Sequence, residues 1–290
     1  MTGAPHHLLE HWHLRADGMP WSGWMSRVWP VRGPGGQPWV LKVPMTRGEP
    51  TGEAEALRAW SQHPRSREHV VGLVDHRDGA LLLERLDAGR DLQAHPDAEA
   101  ADLVIGASIA ALGGAAVPAG VPPMVEEVAR LATSIEAQRR AHPDLLDRRR
   151  VDQALATLAE LHTDLVGASP ADLRLVHGDL HYLNVLRSWP DRPPRWVMID
   201  PLPTSGVPEW EVTASLRNRW ADVVATGDPD RVLRRRLDVI SEPAGLDRVL
   251  AGRIAQAVAV DNLLWLLPRE PEHMFVPPYR VIVQWTGEGN

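Results

Sequence analysis

Two short apolar runs in the second half of the chain carry or precede three oxygen-bearing side chains. This pattern restricts the possible folds more than any other feature of the sequence. Asp179 and Asn184 lie five residues apart in the run 176–186, and Asp200 directly follows the run 196–199. The proline-rich segment between the two runs predicts a hairpin whose second strand is 196–199. An acid that ends a buried strand commonly points into a site, so we expect the side chains of these three residues to share one.

The order acid, amide, acid fits the requirements of ATP-dependent phosphoryl transfer. Asp179 can orient a hydroxyl and take its proton, while Asn184 and Asp200 offer the hard oxygen ligands that Mg²⁺ prefers. Taken singly, each residue could instead be a loop cap or a turn residue. All three in this order predict a small-molecule kinase, with Asp179 as the catalytic base and Asn184 and Asp200 as the metal ligands.

Histidines on both sides of Asp179 allow a second interpretation. His177 and His181 complete a His-x-Asp-x-His pattern that could form the metal cluster of a hydrolase. No other histidine stands at a supporting spacing, and a hydrolase would leave Asn184 and Asp200 unused. We therefore interpret His177 as a brace of the loop through hydrogen bonds.

The N-terminal part has the pattern of a small β-sheet with one helix. A turn at 33–36 separates two strand-like runs, which predicts a hairpin over 26–43. Residues 70–74 and 80–86 predict two further strands, and residues 51–61 predict a short helix. The segment 22–26 precedes the hairpin, and we expect its backbone N–H groups to cover the phosphates of a nucleotide.

One lysine lies inside an apolar strand of this part. Lys42 stands in the run WVLKV, where an ammonium group is costly unless it is paired or reaches water. In a kinase such a lysine contacts the nucleotide phosphates and is held by a carboxylate from a helix. Glu53 shares a helix face with Leu57 and Trp60 and is therefore the expected partner, because Glu55 points away from that face.

After residue 86 the pattern changes to long helices. We expect a linker at 87–90 and helices at 97–114, 124–140, 148–166, 209–225, 229–240 and 246–267. The tail after residue 268 has three prolines and few periodic signals, so its sequence predicts no particular element there. The whole chain is therefore predicted to have an α+β, bilobal fold like that of protein kinases. A β-rich nucleotide-binding lobe would span 1–86, and a mainly helical lobe with the catalytic hairpin and the acceptor site would span 87–290.

Charge and composition exclude several classes of protein. The chain has 31 Lys and Arg against 38 Asp and Glu, a net charge of −7, whereas nucleic-acid-binding proteins are usually basic. It has no cysteine, which excludes disulfides and thiol catalysis. The N-terminus lacks the features of a signal peptide, and no window has the apolar length of a membrane span. We expect a cytoplasmic monomer or homodimer with no nucleic-acid or membrane partner.

Two acids further along the chain are candidates for binding a cationic substrate. Asp261 falls within the apolar stripe of the last long predicted helix, where a carboxylate must be paired or must line a cleft. It could anchor a cationic acceptor or form an internal ion pair with an arginine of a neighbouring helix. Glu211, beside Trp210, is the second candidate for the same role.

These motifs resemble those of the aminoglycoside phosphotransferase superfamily, and most closely its streptomycin 6-phosphotransferase and hydroxyurea phosphotransferase group. The sequence HGDLHYLNVL at 177–186 is similar to the catalytic loop of that group, and IDP at 199–201 is similar to its metal-binding segment. LLLERLD at 81–87 resembles the strand and hinge between its lobes. The segment 206–211, GVPEWE, departs from the family pattern of Gly-Asp-Pro, an aromatic residue and Asp.

The resemblance implies a function and a set of contacts. An ATP molecule with Mg²⁺ would bind between the lobes, with its adenine hydrogen-bonded to the backbone near Glu84 and lined by Leu86, Leu186 and Ile199. The acceptor would be a small cationic molecule with a hydroxyl group, a streptomycin-like aminoglycoside. The chain is thus expected to be an antibiotic-inactivating kinase.

Two alternatives remain open from the sequence. A kinase of the same fold could act on hydroxyurea or on another metabolite. A pseudokinase could bind a nucleotide without turnover, although Lys42, Asp179, Asn184 and Asp200 are all present, which disfavours it.

Overall fold

A computed structural model describes residues 5–23, 25–45, 52–189 and 196–286. The N-terminal part of this chain is an antiparallel sheet in the order β1-β3-β4-β6-β5, with β2 paired to β3. Its strands are β1 (Arg15–Ala16), β2 (Trp21–Ser22), β3 (Ser26–Arg32), β4 (Pro38–Pro44), β5 (Leu73–Arg77) and β6 (Ala80–Glu84). The predicted hairpin over 26–43 is confirmed as β3 and β4.

The rest of the chain is mainly helical. The helices are α1 (His6–His11), α2 (Glu53–Gln62), α3 (Ala98–Leu112), α4 (Met124–Ala141), α5 (Arg148–Gly167), α6 (Val212–Leu216), α7 (Trp220–Ala225), α8 (Pro229–Ala244), α9 (Arg248–Leu266) and α10 (Val276–Ile282). The helices predicted at 51–61, 97–114, 124–140, 148–166, 229–240 and 246–267 are confirmed as α2, α3, α4, α5, α8 and α9. The α+β prediction is therefore confirmed.

The two faces of the N-terminal sheet bury different apolar residues. Successive side chains of a strand point to opposite faces, and β6 shows this alternation. Leu83 packs in the large core that includes Trp60 of α2 and continues into the helical part. Leu82 packs in a smaller cluster with Leu41 of β4 and Leu8 of α1. The two apolar clusters thus hold β4 from both faces of the sheet, and this fixes the position of Lys42 within the strand.

Two small sheets carry the segments around the catalytic motif. One sheet has the order β10-β9-β7, and in the other β11 pairs with β8. Their strands are β7 (Asp87–Asp91), β8 (Arg174–Val176), β9 (Val185–Arg187), β10 (Trp196–Met198) and β11 (Thr204–Gly206). The hairpin predicted from the two apolar runs is confirmed as β9 and β10, and residues 190–195 of its predicted loop lie outside the described residues. The predicted linker at 87–90 is wrong. These residues form an edge strand, β7, which pairs with β9 although its sequence is polar.

The single helix predicted over 209–225 is also wrong. The structure has a 3-10 turn at Pro208–Glu211, then α6, a break at 217–219 and α7. Arg219 has a φ of 53°, a left-handed conformation that no helix interior can accommodate. The break places Arg217 at the C-terminal end of α6, where its side chain points toward the catalytic loop.

The C-terminal tail has structure that its sequence pattern did not predict. α10 is short and contains two prolines, so it lacks a clear helical period, yet Tyr279 and Ile282 are buried against the helical core. Helix α9 is long and apolar enough to cross a membrane by length and composition alone, contrary to the sequence-based expectation. Most of α9 is buried among α4, α5 and α10, as is usual for the core helix of a folded protein.

Candidate active site

Lys42 joins the N-terminal sheet to the second acid of the catalytic motif. Its Nζ atom lies 2.7 and 2.5 Å from the two carboxylate oxygens of Glu53 and 2.5 Å from Oδ1 of Asp200. The Lys42 and Glu53 side chains are mostly buried, whereas that of Asp200 is 50% exposed. The predicted pairing of Lys42 with Glu53 is therefore present, and Asp200 presents its carboxylate to open space beside them.

The two carboxylates keep this lysine charged. Burial by itself would lower the pKa of Lys42, but the negative charges of Glu53 and Asp200 outweigh it and raise that pKa above its ordinary value. A group that is cationic at neutral pH thus lies between Glu53 and Asp200. It can contact polyanionic ligands such as phosphates without a change of protonation.

Asp200 is held in an unusual backbone conformation. Its φ is 57°, in the left-handed region that non-glycine residues seldom occupy and that costs about 1–3 kcal/mol. The residues around it are cross-linked to the catalytic loop: the Ile199 N–H donates to the Asn184 carbonyl at 2.9 Å, and the Leu202 N–H donates to the His177 carbonyl at 2.9 Å. These bonds hold the strand end and the loop together as one unit.

The loop that carries Asp179 requires glycine at position 178. Gly178 has a φ of 80°, and a Cβ atom there would lie 2.1 Å from the Leu202 carbonyl oxygen. The imidazole of His177 is buried, stacks on Trp60 and has its Nε2 atom 3.1 Å from the Ile199 carbonyl. Burial lowers the pKa of His177 to about 4, so this ring is neutral near pH 7. It braces the loop, as expected from the sequence.

Asp179 has a polar partner at each carboxylate oxygen. Nη2 of Arg217 lies 3.4 Å from Oδ1, and Nε2 of His181 lies 3.4 Å from Oδ2. Burial raises the pKa of Asp179, but the hydrogen bond from His181 and the charges of His181 and Arg217 more than compensate and hold it below its ordinary value. The group is therefore an ionised carboxylate at neutral pH, able to accept a proton.

Asn184 and Asp200 have the donor chemistry that a magnesium ion requires. The Asn184 amide nitrogen donates to the Asp179 carbonyl at 3.0 Å, which turns its amide oxygen the other way. One amide oxygen and one carboxylate are hard ligands, and Mg²⁺ is usually held by such a pair together with substrate phosphates. Within the described ranges no three His, Cys, Asp or Glu side chains could hold a metal by themselves. The hydrolase interpretation of His177 and His181 therefore gains no support.

The residues expected to contact adenine come from two places: Glu84 and Leu86 from the end of β6 and the chain after it, and Leu186 and Ile199 from the β9–β10 hairpin. Leu86 is buried, and Leu186 and Ile199 are half-buried and pack against the same core. Both the backbone N–H and the carboxylate of Glu84 are bonded to Gly72, at 2.8 and 3.1 Å. A base that binds here must therefore use backbone groups other than the Glu84 N–H.

The neighbouring backbone carbonyl of the chain after β6 is also engaged. The indole N–H of Trp189 donates to the Arg85 carbonyl at 2.8 Å. A base hydrogen-bonded to that carbonyl would share it with the indole or displace the indole, because a carbonyl oxygen can accept two hydrogen bonds. In the expected phosphate-covering segment 22–26, the Gly23 N–H donates to the Ser26 carbonyl at 2.9 Å, and Trp24 lies outside the described residues.

Glu211 is buried against the backbone of the loop that carries Asp179. Its side chain is buried, and its two oxygens accept hydrogen bonds from the backbone N–H groups of His177 at 2.5 Å and Gly178 at 3.2 Å. The proposed contact with a cationic substrate is therefore wrong for Glu211, because both oxygens are occupied by the loop and water cannot reach them. Its role is to hold the backbone that precedes Asp179.

The burial of Glu211 predicts a distinctive pH dependence of stability. Burial raises the pKa of Glu211 from an ordinary value near 4.5 to about 8. Between these values the folded chain holds a proton that the unfolded chain has lost, so this group's contribution to stability falls as pH rises. We expect the Tm of the wild type to fall relative to that of Glu211→Gln between pH 5 and pH 8, with Glu209→Gln as the neighbouring control. A Tm difference that stays constant over this range would contradict the assignment.

Asp261 is a buried residue of α9, and the side chains that interact with it belong to α4. Its carboxylate interacts with Ser134 and with the charge of Arg130, and burial raises its pKa. These contacts fit an internal ion pair with an arginine of a neighbouring helix, one of the two alternatives from the sequence, better than they fit an anchor for a cationic acceptor. Among the described residues, neither Ser134 nor Arg130 belongs to the Asp179 loop. A role of Asp261 in acceptor binding therefore has no support from its contacts.

Two comparisons identify the family. A sequence model of the family described as aminoglycoside/hydroxyurea antibiotic resistance kinase matches residues 11–266. The chain belongs to this family. It is similar to streptomycin 6-kinase of Streptomyces glaucescens, with 38% identity over 260 residues that cover 89% of this chain and 80% of that protein. It is also similar to hydroxyurea phosphotransferase of Kitasatospora aureofaciens, with 35% identity, 91% of this chain and 73% of that protein. The resemblance inferred from the motifs is thereby confirmed.

Solved structures of aminoglycoside phosphotransferases share the fold. A thermostable mutant of aminoglycoside phosphotransferase APH(4)-Ia, in a ternary complex with ADP and hygromycin B, matches with a TM-score of 0.59 and 17% identity, over 96% of this chain and 97% of that one. At this identity the likeness concerns the fold alone. It confirms the predicted protein-kinase-like architecture of this family member.

Proposed function

We propose that this kinase transfers the γ-phosphoryl group of ATP to a hydroxyl of a streptomycin-like aminoglycoside and so inactivates the antibiotic. One observation carries the proposal: the Lys42 ammonium lies 2.5 Å from the Asp200 carboxylate, beside the loop of Asp179 and Asn184. The 38% identity to a streptomycin 6-kinase supports the choice of acceptor. We expect the enzyme to act in the cytoplasm, where ATP is available, with 1–86 as the nucleotide lobe and 87–290 as the acceptor lobe.

Each residue of the cluster has an assigned task. Asn184 and Asp200 would hold Mg²⁺, which neutralises phosphate charge when it is bound. Lys42, fixed by Glu53, contacts the nucleotide phosphates. Asp179 orients the acceptor hydroxyl and receives its proton.

In the proposed reaction one bond to the γ-phosphorus forms as another breaks. The hydroxyl oxygen forms a bond to the γ-phosphorus while the bond from that phosphorus to the bridging oxygen of ADP breaks. The hydroxyl proton passes to Asp179. Because a carboxylate is a weak base, its contribution lies mainly in alignment and in accepting the proton late in the reaction.

ADP release measured with a panel of acceptors tests the proposal. Streptomycin, hydroxyurea, kanamycin and hygromycin B are compared at saturating ATP and Mg²⁺. We expect kcat/KM for streptomycin to exceed that for every other acceptor by at least about tenfold, because a pocket built for one set of polar groups rejects others strongly.

The other outcomes of the panel would each contradict the assigned acceptor. A preference for hydroxyurea would favour the second candidate function, which rests on the 35% identity to a hydroxyurea phosphotransferase. ATP binding without turnover of any acceptor would favour a pseudokinase.

A further inference from the structure

We propose that Arg217 is a positioning residue for Asp179 and that a buried network of Asp102, Tyr182 and Arg236 holds it there. The inference rests on the proposed function, since that proposal makes Asp179 the base. It adds a second layer of residues that fixes the catalytic carboxylate.

The Arg217 guanidinium is fixed on three sides. Its Nη2 atom is 3.4 Å from Oδ1 of Asp179, and its Nη1 atom is 3.3 Å from the hydroxyl of Tyr279. The ring of Phe275 lies against its planar face, with 4.7 Å from the guanidinium carbon to the ring centroid. A guanidinium with a cation–π contact and a buried hydroxyl partner has little freedom to rotate. The C-terminal residues at 275–279 thus determine where this charge meets the catalytic acid.

Arg236 fixes the backbone on both sides of Arg217. Its guanidinium is 2% exposed, and Nη1 donates to the carbonyls of Asn218 at 2.7 Å and Leu216 at 3.4 Å. Both carbonyls lie at the C-terminal end of α6, where the last carbonyls of a helix have no partner within the helix. The break between α6 and α7 is therefore held by a buried cation. A shift of Arg236 would move Arg217.

The same network reaches the catalytic loop. Nε of Arg236 lies 3.2 Å from Oδ1 of Asp102 on α3, and the hydroxyl of Tyr182 donates to that carboxylate. The Arg236 guanidinium also lies over the Tyr182 ring, 5.5 Å from its centroid. Tyr182 is fully buried and stands between Asp179 and Asn184 in the loop. One buried cluster therefore sets the position of both the loop and the arginine that contacts it.

The contacts at both oxygens of Asp179 explain why such a network would matter. Arg217 faces Oδ1, and His181 faces Oδ2 at 3.4 Å. Neither contact is short, so each acts more by charge and orientation than as a strong hydrogen bond. A group that is positioned by long contacts depends on the rigidity of the residues behind it. Loss of Arg217 should therefore affect the chemical step rather than nucleotide binding.

Kinetics of an Arg217 series test the inference. We expect Arg217→Met to lower kcat for streptomycin by about 10- to 100-fold while KM for ATP stays within about twofold, because only transition-state alignment is lost. Arg217→Lys should recover part of kcat. Arg235→Met, which removes an exposed arginine paired with Glu99 at 2.7 Å, is the control and should retain full activity. An unchanged kcat in Arg217→Met would overturn the inference.

The network needs a test of its own. Asp102→Asn keeps an acceptor for the Tyr182 hydroxyl but removes the charge that pairs with Arg236. We expect the folded variant to show the same pattern as Arg217→Met, a lower kcat with KM for ATP unchanged. Full kcat in folded Asp102→Asn would overturn the part assigned to the network. If that variant does not fold, Tyr182→Phe, which removes only the hydroxyl that donates to Asp102, is measured in its place with the same expected and contradicting results.

A thermal double-mutant cycle separates this inference from the proposed function. Wild type, Asp179→Asn, Arg217→Met and the double variant are compared by Tm, which needs no acceptor. Non-additive Tm changes support the contact even if the wild type phosphorylates none of the acceptors, in which case only the proposed function fails. Additive Tm changes would overturn the contact whatever the wild type phosphorylates.

Discussion

Asp179→Asn is expected to lower kcat for acceptor phosphorylation by about 10³-fold or more, with ATP affinity changed by less than about threefold. The amide has the shape of the carboxylate and can keep the contacts with His181 and the loop. It cannot accept the hydroxyl proton, and it lacks the charge that faces Arg217 at 3.4 Å. Steady-state kinetics give kcat, and nucleotide titration gives the affinity.

An Asp→Asn substitution outside the site controls for the general effect of removing one carboxylate from the chain. Asp164 is exposed on α5, and Asp164→Asn should leave kcat at the wild-type value. An Asp179→Asn enzyme that keeps most of its turnover would remove Asp179 from the role of base and leave it a structural loop residue.

Asp200→Asn is expected to have the second-largest effect, a fall in kcat/KM for ATP of about 10²- to 10³-fold together with a higher Mg²⁺ concentration for half-maximal rate. Asparagine tolerates the left-handed region, so the φ of 57° at this position need not change. The substitution therefore removes a negative ligand with little added backbone strain. The measurement is a Mg²⁺ titration of the initial rate at fixed ATP.

The chain offers a close control for this substitution as well. Asp78 also has a positive φ, of 53°, but it is exposed in the turn before β6. Asp78→Asn should leave the Mg²⁺ dependence unchanged. If Asp200→Asn also leaves that dependence unchanged, Asp200 is not a metal ligand and its pairing with Lys42 is structural.

The sequence could predict those parts of the site that depend on the spacing of residues within one strand, helix or short segment. Lys42 and Glu53 could be paired because a helix face and a strand position each constrain one side chain, and the structure shows Nζ within 2.7 Å of both oxygens. Asp179, Asn184 and Asp200 stand in short segments whose order alone implies proximity. Their roles in catalysis and metal binding stay predictions.

The parts that sequence could not predict depend on contacts between distant segments. Glu211 looked like a substrate ligand because nothing local shows that two backbone N–H groups 33 and 34 residues away occupy its oxygens. Arg217 lay in a predicted continuous helix, and the break that turns it toward Asp179 is stabilised by Arg236 from another helix. The strand at 87–91 was missed because pairing with β9, not its own polar sequence, creates it.

Single-turnover transfer of radiolabelled γ-phosphate from ATP to streptomycin tests the central claim most directly. The claim is that the ammonium at 42 and the oxygens at 179, 184 and 200 form one phosphoryl-transfer site. We expect the wild type to move the label to streptomycin, and Asp179→Asn to bind ATP with near-normal affinity yet transfer almost none. Label transfer by Asp179→Asn at the wild-type rate would contradict the account.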